Sequence, residues 1–164
     1  MKIYLGADHA GFQLKEEIKA FLLEQSYNVS DEGAYKYQSG DDYPDFIGLV
    51  AVQVAAEPES RGLIFGGSGQ GEAMAANRYK GVRAVVYYGS VPLRPDTPAG
   101  EADILQLSRR HNDANVLSLG ARFVDPAEAR VAVVKWLETD FSGDERHIRR
   151  IKKIEGLVHD ENVF

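Results

Sequence analysis

Residues 62–72 read GLIFGGSGQGE and join an apolar run to a glycine-rich turn. The apolar run predicts a buried strand, and AMAAN at 73–77 predicts a helix directly after the turn. Glycines let the backbone approach a ligand closely, and the free N–H groups at a helix start favour an anion. Glu72, however, places a carboxylate in the first helical turn. Together these features indicate a proton-transfer site beside a ligand that carries or develops negative charge.

The turn matches neither of two common phosphate-binding motifs. The dinucleotide pattern GxGxxG, started from Gly67, requires glycine where the chain has Glu72. The pattern GxxxxGK[ST] fits Gly66 and Gly71 but requires lysine at the same position. A bound nucleotide is therefore disfavoured. A tight turn that only serves helix–sheet packing remains an alternative.

Composition limits the classes of function. The chain has 164 residues, 44% of them hydrophobic, which suits one domain with a proper core. A net charge of −6 argues against nucleic acid or anionic lipid as a partner. The absence of cysteine excludes disulfides, thiolate metal sites and a cysteine nucleophile. Without a membrane-length apolar run or a signal-peptide core, we expect a cytoplasmic protein with no membrane partner.

Apolar runs alternate with helical patterns along the chain. Strands are predicted at 3–5, 27–29, 62–65, 83–88 and 116–120, and the last helix is basic and lies at about 144–155. The alternation predicts a single α/β domain over residues 1–164, with a parallel sheet covered on both faces. In such sheets ligands bind beyond the carboxyl ends of the strands. Three polar segments are predicted there: Asp8-His9, Ser68 to Glu72, and Ser118 to Arg122.

Two histidines stand beside polar partners that suit catalysis. His9 could donate to an anion while Asp8 shuttles a proton, or Asp8 could simply cap a helix. His111 could act as a general acid or base with Asn112 as a neutral donor. Alternatively, both could lie on a solvated helix end that favours cations.

The basic helix carries a pair of arginines. Arg146 and Arg150 are four residues apart, so their guanidinium groups share one helix face. That arrangement suits bidentate binding of a phosphate. The alternative is an ordinary solvated face.

Six segments together resemble one known family. They are GADHAG at 6–11, DYPD at 42–45, GSGQG at 67–71, AAN at 75–77, RRHND at 109–113 and RH at 146–147. Each is weak alone, but their ordered combination resembles the ribose-5-phosphate isomerase B family, which also includes allose- and galactose-6-phosphate isomerases. The resemblance runs from Met1 to about Glu155 and implies a five-stranded parallel sheet in a three-layer αβα sandwich.

The resemblance implies aldose–ketose isomerisation of a phosphosugar, with ribose 5-phosphate and ribulose 5-phosphate as the first choice. A base would move a proton between C1 and C2 through an enediolate, without metal or cofactor. The four histidines also show no close metal-ligand spacing. Some members use a cysteine at the position of Gly66, whereas another branch has a glutamate at that of Glu72. Glu72 is therefore the expected base, as its place in the turn already indicated.

The resemblance also implies roles for the other polar groups. Ser68 and the loop amides would stabilise the enediolate as preorganised donors. His111, helped by Asp8, would open the sugar ring. The residues expected to bind the substrate and its phosphate are His9, Tyr43, Gly67, Gly69, Gly71, Asn112, Arg122, Arg146 and Arg150. Since family members are dimers, some pairing into tetramers, with sites built from two subunits, we expect a homodimer or homotetramer.

The chain departs from the family in one loop and in its tail. The proline-rich loop 89–103 is longer than in familiar members, and we expect it to line or cover the pocket and tune the sugar accepted. A surface insertion or an oligomer contact is the alternative. The departure leaves a six-carbon phosphosugar open as substrate. The tail 156–164 carries no motif that indicates a role.

A binding module without catalysis is the rival of a different class. A phosphosugar- or nucleotide-binding module would use the same glycine turn and the same arginines. It would gain nothing from the carboxylate of Glu72, which therefore favours the enzyme.

Overall fold

The computed structural model describes residues 1–90, 94, 96–97 and 103–157. In chain order these residues form β1 (Lys2–Ala7), α1 (Phe12–Glu24), β2 (Asn28–Asp31), α2 (Tyr43–Ala56), β3 (Arg61–Gly66), α3 (Gln70–Ala76), β4 (Ala84–Tyr87), α4 (Ile104–Asn112), β5 (Val116–Gly120), α5 (Pro126–Leu137) and α6 (Glu145–Glu155). The loop 89–103, for which roles were predicted, lies mostly outside the described residues. Most of the tail 156–164 also lies outside them.

The five strands form one parallel sheet in the order β2-β1-β3-β5-β4. The register places Leu5 beside Leu63, and Leu63 beside Leu117. The chain leaves β1 towards one edge of the sheet to form β2 and then crosses to the other side of β1 to form β3. Ligands of open α/β sheets bind at such a change of direction, beyond the carboxyl ends of the two strands.

Helices cover both faces of the sheet. Leu5 and Leu117 face a core shared with α1, α4 and α5, which includes the fully buried Trp136. Tyr4 and Ile64 face a second core shared with α2 and α3. Because side chains alternate along each strand, one apolar run supplies both cores. The predicted α/β fold with three layers is confirmed.

The predicted element bounds hold best where the sequence is most apolar. The strand at 116–120 is found as predicted, and Asp125 caps α5 by accepting from the N–H groups of Ala127 and Glu128. The second strand lies at Asn28–Asp31 rather than 27–29, because it is an edge strand that pairs only with β1 and carries polar residues.

Among the helices of the described residues, none has both the length and the apolar surface that a membrane crossing needs.

A buried ion-pair network fastens α1 to β2. The Lys15 ammonium is fully buried and lies 2.8 and 2.7 Å from the two carboxylate oxygens of Asp31 and 2.6 Å from Oε1 of Glu16. Lys19 also donates to Asp31, at 2.6 Å. Asp31 accepts in turn from the N–H of Gly33 at 3.0 Å. The network therefore fixes the turn that follows β2.

Replacing Lys15 should destabilise this network. Burial alone would raise the pKa of Asp31, but hydrogen bonds from Lys15, Lys19 and the Gly33 N–H outweigh it and hold that pKa below its ordinary value. We expect Lys15→Met to lower the free energy of unfolding by about 3 kcal/mol at pH 7, because the fully buried Lys15 donates to both oxygens of the half-buried Asp31 carboxylate. The depressed pKa stabilises the fold only while Asp31 is ionised, so the difference should shrink as pH falls below about 4.

Urea unfolding at pH 7 and at acid pH measures this effect. Lys19→Met is the matched control. The Lys19 side chain is 25% exposed, so we expect its removal to lower the free energy of unfolding by less. Equal losses in the two variants would contradict the special burial of Lys15.

Candidate active site

The glycine turn after β3 is held in place by β5. Gly69 has a φ of +75°, a conformation that favours glycine. Its carbonyl accepts a 2.7 Å hydrogen bond from the buried hydroxyl of Ser118 on β5. The carbonyls of residues 66–67 accept from the amides of residues 121–122 at 2.8 and 3.2 Å. The turns after β3 and β5 therefore form one rigid unit at the carboxyl edge of the sheet.

Glu72 points back from α3 into the space beside Gly66. Its side chain is buried, and a Cβ added to Gly66 would overlap with the Glu72 carboxylate, so residue 66 must be glycine while the carboxylate stays there. Burial raises the pKa of Glu72 and the charge of Asp8 raises it further, although the backbone N–H of Glu72 works against them. A carboxyl group with a raised pKa among loop amides is suited to take up and release a proton.

Asp8 follows β1 and is buried beside this carboxylate. Its Oδ1 accepts from the N–H groups of Ala10 and Gly11, at 2.9 and 3.1 Å. These bonds order the turn before α1, whose N-cap is Gly11 and has no side-chain cap, so Asp8 does not cap the helix itself. Its negative charge nevertheless acts on both Glu72 and His9. The geometry therefore supports a local structural role and an electrostatic role together.

His9 is bound by a residue that the sequence did not single out. Oδ1 of Asp41 accepts from the His9 backbone N–H at 2.9 Å and lies 2.7 Å from the ring Nδ1. This hydrogen bond raises the pKa of His9 more than burial lowers it, and the charge of Asp8 adds to the increase. The acidic pair just before Tyr43 was the signal available in the sequence.

Arg122 and Tyr43 flank the glycine turn. A Cβ on Gly67 would stand 3.1 Å from the guanidinium carbon of Arg122, and a Cβ on Gly71 would stand 2.8 Å from the Tyr43 hydroxyl oxygen. Both close approaches therefore depend on glycine. Ser68 is exposed at the tip of the turn, where its Oγ accepts from the Gln70 N–H at 3.3 Å.

One part of the predicted site thus comes together in a single chain, at the change of direction between β1 and β3. It consists of the residues around the glycine turn: Asp8, His9, Tyr43, Gly67, Ser68, Gly69, Gly71, Glu72 and Arg122.

The remaining predicted residues lie near the amino ends of the strands, at the opposite end of the sheet from the glycine turn. His111 and Asn112 end α4 shortly before β5 begins, and the four residue steps of β5 separate the two edges by roughly 13 Å. Helix α6, which carries Arg146 and Arg150, is tied to that edge because Arg83 pairs with Glu155 at 2.7 Å. A single chain therefore does not bring this second group to Glu72.

The second group contains a stacked pair of imidazoles. The buried ring of His147 lies parallel to the ring of His111, with 4.2 Å between centroids and 12° between planes. Arg146 Nε donates to His147 Nε2 at 3.2 Å. Burial lowers the pKa of His147, and the charges of His111 and Arg146 lower it further. These effects favour the neutral form of His147, and its ring packs flat against that of His111.

Arg109, from the same RRHND segment, belongs to the scaffold. It is buried, donates to Asp113 at 2.8 Å and to the carbonyl of Ala114 at 2.6 Å, and lies over the Trp136 ring. These contacts close the C-terminal end of α4, where His111 is half-buried.

One cluster within the described residues has metal-ligand chemistry: Asp8, His9 and Asp41, whose ligand atoms lie within 4.8 Å of one another. Asp41 Oδ1 is already engaged by two donors of His9, and Asp8 Oδ1 by two backbone amides. The contacts fit an imidazole held by carboxylates better than a metal centre.

Known proteins that resemble this chain decide its family. The model of the ribose/galactose isomerase family matches residues 3–154. The chain belongs to the ribose/galactose isomerase family. The ribose-5-phosphate isomerase B of Mycolicibacterium paratuberculosis is 39% identical over 151 residues, which cover 92% of this chain and 87% of that protein. The Escherichia coli ribose-5-phosphate isomerase B is 37% identical over 161 residues, which cover 98% of this chain and 99% of that protein.

Solved structures of the family share the fold. The crystal structure of ribose-5-phosphate isomerase B from Mycoplasma genitalium, with ribulose 5-phosphate bound, superposes with a TM-score of 0.83 at 36% identity and covers 94% of each chain. The resemblance carried by the six sequence segments is confirmed, and so is the fold that it implied.

The raised pKa of Glu72 predicts a pH-dependent effect on stability. A carboxyl group whose pKa is higher in the folded state destabilises the fold when it is ionised. Below the pKa of the unfolded state, near 4.3, the group is protonated in both states and does not affect stability. Its destabilising effect grows as pH rises above that value and is complete once pH exceeds the pKa of the folded state. We expect Glu72→Gln to unfold at a higher temperature than the wild type at pH 8, with the difference vanishing near pH 4.

Thermal unfolding at the two pH values tests this expectation. Glu24→Gln, at the exposed end of α1, is the control and should match the wild type at both. A Glu72→Gln protein that is less stable at pH 8 would show that the ionised carboxylate is well compensated in the fold.

Proposed function

We propose that the chain interconverts ribose 5-phosphate and ribulose 5-phosphate, with Glu72 as the base. The observation that carries the proposal is the buried Glu72 carboxylate in a glycine turn, in a chain that belongs to the ribose/galactose isomerase family. The relative from Mycoplasma genitalium that binds ribulose 5-phosphate supports the choice of substrate.

The proton transfer would proceed from the open-chain sugar. Glu72 removes the proton from C2, the C–H electrons form the C1–C2 double bond, and the carbonyl oxygen takes the negative charge. Ser68 and the amides of the glycine turn stabilise that charge as fixed donors. Glu72 then returns the proton to C1, and the proton of the C2 hydroxyl passes to the C1 oxygen, which leaves a hydroxyl at C1 and the ketone at C2. The sequence of steps needs neither metal nor cofactor.

Asp8, the charged residue beside Glu72, makes Glu72 better suited to act as the base. The pKa of Glu72 is raised by burial and by Asp8, which brings it nearer to neutral pH and makes the ionised form a stronger base. Rigid attachment of the turn to β5 through Ser118 keeps the carboxylate in one position.

The second group of residues would come from a partner subunit, so we propose a homodimer as the smallest active unit. His111, with its ring fixed on His147, would open the sugar ring with the help of Asp8, and Asn112 would assist binding. Arg146 and Arg150 of the partner would join His9 and Arg122 on the phosphate.

Exposed apolar side chains are available for a subunit interface on both layers. Leu49 and Val52 on α2 are each 50% exposed, and Met74 on α3 is 65% exposed. On the opposite layer, Leu23 on α1 is 55% exposed and Val131 on α5 is 65% exposed. Contiguous exposed apolar side chains are typical of a surface covered by a partner. Measurement of mass in solution distinguishes a homodimer from a homotetramer.

A six-carbon phosphosugar is the second candidate substrate, because the matching family model includes galactose isomerases by description. The loop 89–103, most of which lies outside the described residues, is still predicted to tune this choice. We also propose a cytoplasmic location, where charged phosphosugars that cannot cross a membrane are made, and no nucleic-acid partner.

Removal of the base should abolish turnover while substrate still binds. Glu72→Gln should lower kcat about 10²–10⁴-fold with a smaller change in KM. Gly66→Ala should also lower kcat, because its methyl group would occupy the place of the Glu72 carboxylate. Gly40→Ala is the control, since a Cβ there meets no atom within 4 Å.

A coupled assay with ribose, allose and galactose phosphates measures both the reaction and its specificity. Near-wild-type turnover by Glu72→Gln would remove Glu72 from the mechanism. A wild-type protein that isomerises none of these sugars would overturn the proposed function itself.

Hybrid dimers test the shared site. Glu72→Gln and His111→Ala are each expected to be inactive, but a hybrid of the two has one site with both wild-type groups. Random exchange should therefore restore roughly a quarter of wild-type activity. In the control, the Glu72→Gln protein is mixed with a Glu72→Gln, His111→Ala double variant, which can form no intact site. No recovery despite verified exchange would place both residues in one subunit's site.

A further inference from the structure

The Asp41 side chain is buried, and its two carboxylate oxygens differ in their contacts. It lies on the loop between β2 and α2 and is 8% exposed. Its Oδ1 binds the backbone and the ring of His9, whereas its Oδ2 has no hydrogen-bond partner within the described residues. A carboxylate in such a place is costly unless a positive charge compensates it. The cation in contact with it is His9 in its protonated form.

The contacts of Asp41 also fix the direction of the His9 ring. One oxygen accepts from both the backbone N–H and Nδ1, so the ring cannot rotate without losing the 2.7 Å contact. Tyr37 packs edge-on against the ring, at 6.4 Å between centroids and 86° between planes. With Nδ1 held by Asp41, Nε2 is the nitrogen left to meet a ligand.

The charges that face His9 come from three elements. Asp8, in the same turn after β1, has Oδ2 3.9 Å from Nδ1. Asp41 approaches from the loop before α2, and Arg122 acts from the turn after β5. Two carboxylates against one guanidinium favour the imidazolium form. Of the two carboxylates, Asp41 raises the pKa of His9 more, because it adds a direct hydrogen bond.

We propose that Asp41 is a positioning residue that holds His9 as an imidazolium and aims its Nε2–H at the phosphate of the substrate. The proposal rests on the proposed function, in which His9 binds that phosphate. In this proposal Asp41 acts on the substrate through His9. Its effect should appear in substrate binding and in the pH at which His9 loses its proton, and much less in the proton transfer at Glu72.

The test compares Asp41→Asn with the wild type and with Asp42→Asn. Asparagine keeps the size of the side chain but removes the charge that favours the imidazolium. Asp42 is the matched control, because it is the exposed neighbour and caps α2 without a side-chain hydrogen bond. KM and kcat for ribose 5-phosphate are measured between pH 6 and pH 9.

We expect Asp41→Asn to raise KM about tenfold at pH 8, the size of effect that loss of one charged partner produces. The increase should be smaller at pH 6, because the ordinary pKa of an imidazole is about 6.5 and the proton is retained more readily there without Asp41, and kcat should change less than KM. Asp42→Asn should follow the wild type throughout. A KM that rises equally at every pH would indicate that Asp41 only supports the loop, and would overturn the proposal.

A second measurement does not depend on activity. The His9 ring signal is followed by NMR against pH, and is assigned by its loss in His9→Gln. In Asp41→Asn it should titrate at a lower pH than in the wild type, and inorganic phosphate should bind more weakly at pH 8. An unchanged His9 titration would refute the inference even if the chain isomerises ribose 5-phosphate. A shifted titration in a protein that turns over no phosphosugar would refute the proposed function instead.

A double-variant cycle distinguishes the route through His9 from an effect on folding. In the His9→Gln background, Asp41→Asn should raise KM no further, since the group that it positions is already gone. Equal increases of KM in both backgrounds would show that Asp41 acts on another part of the site.

Discussion

The site depends on one steric constraint: the carboxylate of Glu72 fills the volume that any side chain at position 66 would need. Glycine at the end of β3 is therefore a condition for the carboxylate to lie at the edge of the sheet. The left-handed turn at Gly69 and its bond to Ser118 keep the short helix α3 in register with β5. Sheet register, turn conformation and the position of the candidate base are thus linked through a few atoms.

The sequence predicted those parts of the molecule that are set by local patterns. The β3 strand, the glycine turn and Glu72 are contiguous, and their spacing alone indicated proton transfer at a sheet edge. The edge strand β2 was displaced in the prediction because NVSD carries too little apolar periodicity. Asp41 was missed because it meets His9 across 32 residues of chain, and the acidic pair before Tyr43 does not by itself indicate that contact.

The division of the candidate site between two edges of the sheet also lay beyond local pattern. His111 and Glu72 both sit beside strands, but α4 ends at the amino edge whereas α3 begins at the carboxyl edge. The fold also treats its histidines in opposite ways. A carboxylate raises the pKa of His9, whereas burial and neighbouring cations lower that of His147. The same residue type is therefore shifted towards its charged form beside the glycine turn and towards its neutral form on α6.

The overlap between positions 66 and 72 has a consequence for any redesign of the glycine turn. A change of Gly66 to cysteine would place a sulfur against the Glu72 carboxylate, so the carboxylate would have to turn away for the thiol to fit. The two positions therefore form one unit of substitution, in which a side chain at position 66 calls for a shorter one at position 72.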